Sequence, residues 1–207
     1  SDAPDGIESL NSLAQYSRQF DSGQTSLFIY DASMRPNTNN TLNIRDLPVL
    51  DSLDAIEQAV NATDETNTTS VITFLKAIPA TITVTEGVTV GDGSLWDLLH
   101  DPCWESEDLF DTECAGWTLI PVAEREALRK DMVNVAFDTL SEEVRSTLMN
   151  EDGTKAIVYV NQRYMNLNIA GGLRDQIDEI LDDGPTLLNS RTSLLTGGLP
   201  VSLDLNK

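Results

Sequence analysis

The chain has 207 residues, of which 40% are hydrophobic, so it is long and apolar enough to bury the core of a globular domain. It carries 13 Lys and Arg against 34 Asp and Glu, a formal net charge of −21. Such a charge repels phosphate backbones and anionic membrane surfaces, so nucleic acid is excluded as an expected partner. No apolar run approaches the roughly 18 to 20 residues of a membrane span, and the N-terminus shows no signal segment.

The first part of the chain predicts a helix and then a strand-helix-strand unit. Residues 1–22 have apolar side chains near helical spacing, which predicts an N-terminal helix. Within residues 23–75, SLFIY (26–30) and SVITF (70–74) are predicted strands. The residues between them (46–60) carry apolar side chains at intervals of three and four, which predicts a helix.

Residues 76–149 are predicted to form a mostly helical insertion. A short capped helix is expected at residues 94–99, followed by an acidic loop that holds both cysteines. A longer helix is expected at residues 121–137, and a further one begins with S-E-E-V at residue 141.

The last segment, residues 150–207, repeats the order of the first unit. AIVYV (156–160) and the stretch 192–196 are predicted strands. The helix between them has four apolar residues on one face, which are Ile169, Leu173, Ile177 and Ile180. Two strand-helix-strand halves separated by an insertion predict a single α+β domain of the ferredoxin-like, split βαβ type.

The two cysteines, Cys103 and Cys114, are predicted to form a disulfide. A metal site would need more ligands nearby than the single histidine, His100, supplies. Closing so short a loop stabilises a fold by roughly 2 to 3 kcal/mol in the chain-entropy picture. Disulfides persist in oxidising compartments, so an extracytoplasmic location is expected.

Three N-x-[ST] sequons, at Asn39, Asn61 and Asn67, lie in predicted loops and are candidate glycosylation sites. They agree with the same extracytoplasmic location. Each sequon alone is a weak signal, because Asn and Thr are abundant in this chain.

Three tryptophans, Trp96, Trp104 and Trp117, surround the predicted disulfide. We expect them to form a small satellite core that shields the bridge. Any exposed part of this aromatic group is the best candidate in the insertion for contact with a ligand or partner.

The sequence contains no recognisable catalytic motif. It lacks a G-x-S-x-G elbow, an H-E-x-x-H helix, a phosphate-binding loop and a dinucleotide fingerprint. His100 is expected to be a surface residue and not part of a triad. The acids of the cysteine loop lack the alternation and the glycine of a calcium loop, so no metal or cofactor is expected. The chain is therefore predicted not to be an enzyme.

Several segments, taken together and in order, resemble one family. They are LPVLDSLDAIEQAV (47–60), SVIT (70–73), LSEEVRSTLMNEDGTKAIVYV (140–160) and LLTGGLPVSLDLN (194–206). Their wording and order are similar to the extracytoplasmic loop domain of the resistance-nodulation-division (RND) superfamily of exporters, in the branch related to the mycobacterial membrane protein large (MMPL) and Patched-type transporters. The disulfide loop and the tryptophans depart from the pattern of that family.

The resemblance implies a porter-like domain of a proton-driven exporter, placed on the extracytoplasmic face of the membrane. Its expected partners are its own transmembrane domain, which this chain lacks, and a small amphiphilic or lipid-like substrate; a homo-oligomer is a further option. The proton-relay carboxylates of the family lie in membrane helices, so the resemblance assigns no catalytic residue here. Two alternatives stay open: a free-standing secreted or surface ligand-binding or adhesion protein, and a secreted hydrolase that uses paired carboxylates.

Overall fold

The structure is a computed structural model. It describes residues 23–32, 42–63, 66–108 and 111–163, with residues 172, 175–177, 179–180, 191–192 and 196–197 from the last segment. The N-terminal helix expected in residues 1–22 and the sequon at Asn39 lie outside these residues. Among the described helices, none is both long and apolar enough to cross a membrane.

An antiparallel sheet forms the centre of the domain. Its strands are β1 (Gly23–Asp31), β2 (Thr66–Thr69), β5 (Lys155–Arg163), β6 (Arg191–Thr192) and β7 (Thr196–Gly197). The described strands follow the order β2-β5-β1-β6, and β7 also pairs with β1. A separate hairpin consists of β3 (Ile82–Thr85) and β4 (Val88–Val90). The turn between them contains Gly87, whose φ of 79° favours a residue without a side chain.

The described helices are α1 (Leu47–Asn61), α2 (Val71–Ala77), α3 (Leu95–Leu99), α4 (Val122–Thr139) and α5 (Glu142–Leu148). Two 3₁₀ helices, Pro102–Trp104 and Ala115–Leu119, flank the cysteine loop. Helices and an antiparallel sheet together make the α+β class that the sequence predicts.

The main core lies between α1 and one face of the sheet. Phe28 and Tyr30 of β1 are fully buried, as are Val158 and Val160 of β5, while the residues between them are partly exposed. Helix α1 covers this face with an apolar stripe, which consists of Val49, Leu50, Leu53, Ile56 and Val60. Ile177, from the described helical residues 175–177, is buried in the same core. Each large apolar side chain buried here contributes roughly 1.5 to 3 kcal/mol.

The strand predicted at residues 70–74 is wrong. The strand lies just before it, at Thr66–Thr69, and Val71–Ala77 is helical. Ser70 caps this helix, since its Oγ accepts a hydrogen bond from the backbone N–H of Ile72 while Thr73 Oγ1 accepts one from the N–H of Ser70. A capping box of this kind offsets the preference of Val and Ile for strands.

The insertion at residues 76–149 is helical only in part, because the β3–β4 hairpin lies in its first third. The hairpin packs with the cysteine loop into a second, smaller core. This satellite core consists of Val90, Leu98, Cys103, Trp104, Cys114, Trp117 and Ile120.

Candidate functional site

The cysteine loop is closed by a disulfide between Cys103 and Cys114, whose Cα atoms are 5.4 Å apart. Trp104 and Trp117 pack edge to face beside it, with ring centroids 4.5 Å apart, and both are 3% exposed. The indole N–H of Trp104 donates to the carbonyl of Leu98 at 2.6 Å. Both tryptophans are therefore interior residues of the satellite core, as the sequence predicts, and do not form an exposed patch.

Arg125 of α4 holds the cysteine loop together from inside. Its side chain is buried, and its guanidinium donates to backbone carbonyls at distances of 2.6 to 3.2 Å. The accepting residues are Cys103, Trp104, Ser106, Trp117 and Ile120. Three of these carbonyls share the two N–H groups of Nη1, while Nε and Nη2 each donate to one, so the rigid fork of the guanidinium joins both ends of the loop. Within the described residues, Arg125 makes no ion pair with a carboxylate.

A groove of about 530 Å³ runs along α4, and we call it the α4 groove. Its walls are completed by residues 45–48, which lead into the first turn of α1, and by Trp104 and Glu105. From α4 it is lined by Val122, Arg125, Glu126, Arg129, Lys130 and Val133. These six recur at intervals of one, three and four residues, which places them along one face of the helix. The volume lies within the range of about 300 to 1,000 Å³ that small-molecule sites occupy.

The groove is unusually basic for this acidic chain. It contains four of the 13 basic residues, Arg45, Arg125, Arg129 and Lys130, and three acids. Arg129 is partly neutralised by Glu105 at 3.5 Å and also donates to a backbone carbonyl. The lining therefore carries a formal charge of +1 inside a chain of −21.

Trp96 belongs to a different cluster, on the outside of α3. It stacks on His100 with ring centroids 4.2 Å apart, and the ammonium of Lys76 lies 5.2 Å from its ring centre. His100 Nε2 is 2.6 Å from an Asp51 carboxylate oxygen, and this hydrogen bond is the main reason that the pKa of His100 is raised. The pair is partly exposed, and His100 Nδ1 lies 2.8 Å from the carbonyl oxygen of Trp96, so His100 is a surface residue held to α1.

A second cavity, of about 310 Å³, lies between α1 and α2, and we call it the α1–α2 cleft. Glu57 lines it and is 3% exposed. Burial raises the pKa of Glu57 to about 7, against the smaller opposing effect of a 2.6 Å hydrogen bond from Ser70 Oγ. The neighbouring Asp54 differs, because Lys76 pairs with it at 2.6 Å and Gln58 Nε2 also donates to it.

Two of the predicted glycosylation sites, Asn61 and Asn67, line the same cleft and are exposed. Asn61 Oδ1 accepts a hydrogen bond from the backbone N–H of Thr68, which ties the end of α1 to β2. The structure thus brings these two sequons together, in a helix end and a strand instead of in loops.

No described group of three or more His, Cys, Asp and Glu residues is arranged to hold a metal ion. The acids of the cysteine loop include Glu105, whose side chain is 86% exposed and lies beside Arg129. The described donor set therefore offers no candidate metal centre.

The sequence did not single out the two most deeply buried charged residues described, Glu57 and Arg125. Glu57 had a usable signal, since it stands within the apolar stripe of α1, four residues after Leu53 and three before Val60. Arg125 had none, because its partners are backbone carbonyls and leave no trace in side-chain patterns. No family model matches the chain, and no curated protein or solved structure is detectably similar to it.

Proposed function

We propose that this chain is an extracytoplasmic substrate-handling domain of a proton-driven RND-type exporter, and that its sheet is of the ferredoxin-like kind. The α4 groove is the surface that receives an amphiphilic substrate. The domain itself catalyses no reaction in this proposal, and the membrane part of the same protein supplies the energy.

The strand order supports the ferredoxin-like part of the proposal. Strands β1 and β2 are both antiparallel to β5, so they run parallel to each other with β5 between them. Strands β5 and β6 are likewise both antiparallel to β1, which lies between them. Two interleaved pairs of parallel strands are what two split βαβ halves produce.

The observation that carries the proposal is the relative position of Gly23, where β1 begins, and Gly197, where β7 ends. Strand β7 runs antiparallel to β1, with Leu27 opposite Thr196 and Ser26 opposite Gly197. Gly197 therefore lies about 10 Å from the level of Gly23, because three strand residues span about that length. The first residue of β1 and the last residue of β7 therefore lie in the same half of the sheet, which agrees with a domain inserted between two membrane helices.

The α4 groove lies toward the other end of the sheet. Strand β1 spans about 27 Å from Gly23 to Asp31 at the usual rise per residue. At its far end, the backbone N–H of Ile44 donates to Gly153 at 2.7 Å, and Arg45, which lines the groove, follows directly. In the proposed orientation the groove is remote from the membrane surface and faces incoming substrate.

Two linked experiments test this proposal. The reading frame that contains this segment is expected to encode one hydrophobic span shortly before Ser1 and about five after Lys207, each of roughly 20 residues. In the whole protein, a cysteine placed at exposed Ser146 should react with a membrane-impermeant maleimide in intact cells. A cysteine in a cytoplasmic loop serves as the control and should react only after lysis.

Other results would favour the alternatives. A frame that ends near Lys207 behind a signal peptide would replace the exporter with a free-standing secreted ligand-binding protein. The α1–α2 cleft keeps the hydrolase alternative in view, since Glu57 with a pKa of about 7 stands three residues after the paired Asp54. Turnover of a glycoside or ester panel that disappears in Glu57→Gln would establish that activity.

A further inference from the structure

We infer that the α4 groove selects amphiphiles with a single anionic headgroup, of the fatty-acid type, over cationic and neutral ones. This inference rests on the proposed function, because it names the class of substrate that the domain would handle. It is carried by the charges and the apolar surface that the groove brings together.

The first argument is the buried charge of Arg125. The residue is 4% exposed, and its guanidinium faces five carbonyl oxygens, which are dipoles and cancel no net charge. A cation buried under a groove with no described carboxylate partner favours an anion in that groove, since Coulomb attraction is strong where water is scarce.

The second argument is the cations at the rim. Lys130 is exposed and has no described ion pair, so its ammonium is free to meet a headgroup. Arg45 also lines the groove, with its side chain 24% exposed and a 2.9 Å contact to Asp138. An anion in contact with either cation forms charge-assisted hydrogen bonds, which are stronger than neutral ones. The net charge of −21 still disfavours polyanions, so a singly charged ligand fits best.

The third argument is apolar surface at the same place. Val122 is 52% exposed in the groove lining, where Leu47 and Pro48 add further apolar atoms. Exposing a large apolar side chain next to basic ones provides a place for an alkyl chain beside its headgroup. Val135 provides the matched comparison, since it is 61% exposed on the same helix but does not line the groove.

The test is calorimetric titration of the folded domain with three probes of equal chain length, each below its micelle-forming concentration. The probes are decanoate, decyltrimethylammonium and decyl maltoside. We expect decanoate to bind at least about tenfold tighter than the other two, because an ionic hydrogen bond contributes about that factor. Equal binding of all three would overturn the headgroup inference and leave the proposed function standing. Binding of none would overturn both.

Matched variants locate the site. Lys130→Gln should weaken decanoate binding about tenfold, whereas Lys155→Gln, which removes the same charge from a 49% exposed side chain outside the groove, should not. Val122→Asn should weaken binding of all ligands that bind through the alkyl chain, and Val135→Asn should not. Equal losses within either pair would show non-specific attraction and would contradict the inference.

Discussion

Arg125 and Glu57 are both almost completely buried, but Arg125 is permanently charged whereas Glu57 titrates near neutral pH. Arg125 carries a guanidinium, which is a permanent cation in proteins, and it meets five carbonyl oxygens. Glu57 accepts a hydrogen bond from the Ser70 hydroxyl and is in none of the ion pairs found among the described residues, and its burial raises its pKa to about 7. The buried charge of Arg125 therefore orders the cysteine loop. The buried carboxyl of Glu57 is a titratable group in the α1–α2 cleft.

The largest expected effect comes from removing the buried cation. Arg125→Met should lower the free energy of unfolding by about 4 kcal/mol, because it leaves several buried carbonyls without donors. Arg125→Lys keeps the charge but offers three donors in place of five, so we expect about half that loss. Urea unfolding of both variants measures this. A loss under about 1 kcal/mol in Arg125→Met would contradict the role given to Arg125.

The next effect is the pH dependence caused by Glu57. Its pKa is raised from 4.5 in the unfolded chain to about 7, so between these values the folded state binds more protons. Stability should therefore fall as pH rises through that window, and the fall is complete above pH 7.

Glu57→Gln should remove this dependence. The difference in unfolding free energy between the variant and the native chain should change by about 3 kcal/mol from pH 4.5 to pH 8, in favour of the variant at high pH. Glu86→Gln, at an exposed turn, serves as the control and should show no such change. A constant difference across the window would show that Glu57 is not titrating there.

The disulfide adds a covalent tie to the loop that Arg125 already organises. Cys103→Ser with Cys114→Ser should lower the unfolding free energy by about 2 to 3 kcal/mol, since the bridge closes a loop with a separation of 11 residues. If the disulfide and Arg125 stabilise the same loop structure, the combined variant Cys103→Ser, Cys114→Ser, Arg125→Lys should lose more unfolding free energy than the sum of the two separate losses. Simple additivity would show that they act independently.

The smallest effect belongs to the surface pair of His100 and Asp51. Hydrogen bonding to Asp51 raises the pKa of His100, so the pair stabilises the fold below the unfolded value of 6.5. This contribution is lost as pH rises through the raised value. Because the side chains are 32% and 43% exposed, Asp51→Asn should cost less than about 1 kcal/mol at pH 5 and almost nothing at pH 9. A cost that grows with pH would contradict this account.

The clearest parts of the fold were predictable because their patterns are local. The helix expected at residues 46–60 is observed as Leu47–Asn61, and the strands expected at 26–30 and 156–160 lie within β1 and β5. Periodicity failed at residues 70–74, where one side-chain cap at Ser70 decided between helix and strand. The β3–β4 hairpin was missed because its short strands depend on packing against the cysteine loop.

The candidate site was less predictable than the fold. Two of the three tryptophans are in the predicted satellite core, but the groove that Trp104 helps to line depends on Arg45, which is about 80 residues earlier than Arg125. Contacts of such separation, with backbone atoms as acceptors, have no signature in a single sequence. The cationic character of the groove is likewise invisible in a composition dominated by acids.

The most direct test of the central claim is to titrate decanoate into isotope-labelled protein and follow the backbone amide resonances. The account predicts shifts concentrated at the α4 groove, at Leu47, Val122, Arg129 and Lys130, and none of comparable size in the α1–α2 cleft. Shifts confined to the cleft, or spread evenly over the surface, would contradict the assignment of the groove as the substrate-handling site.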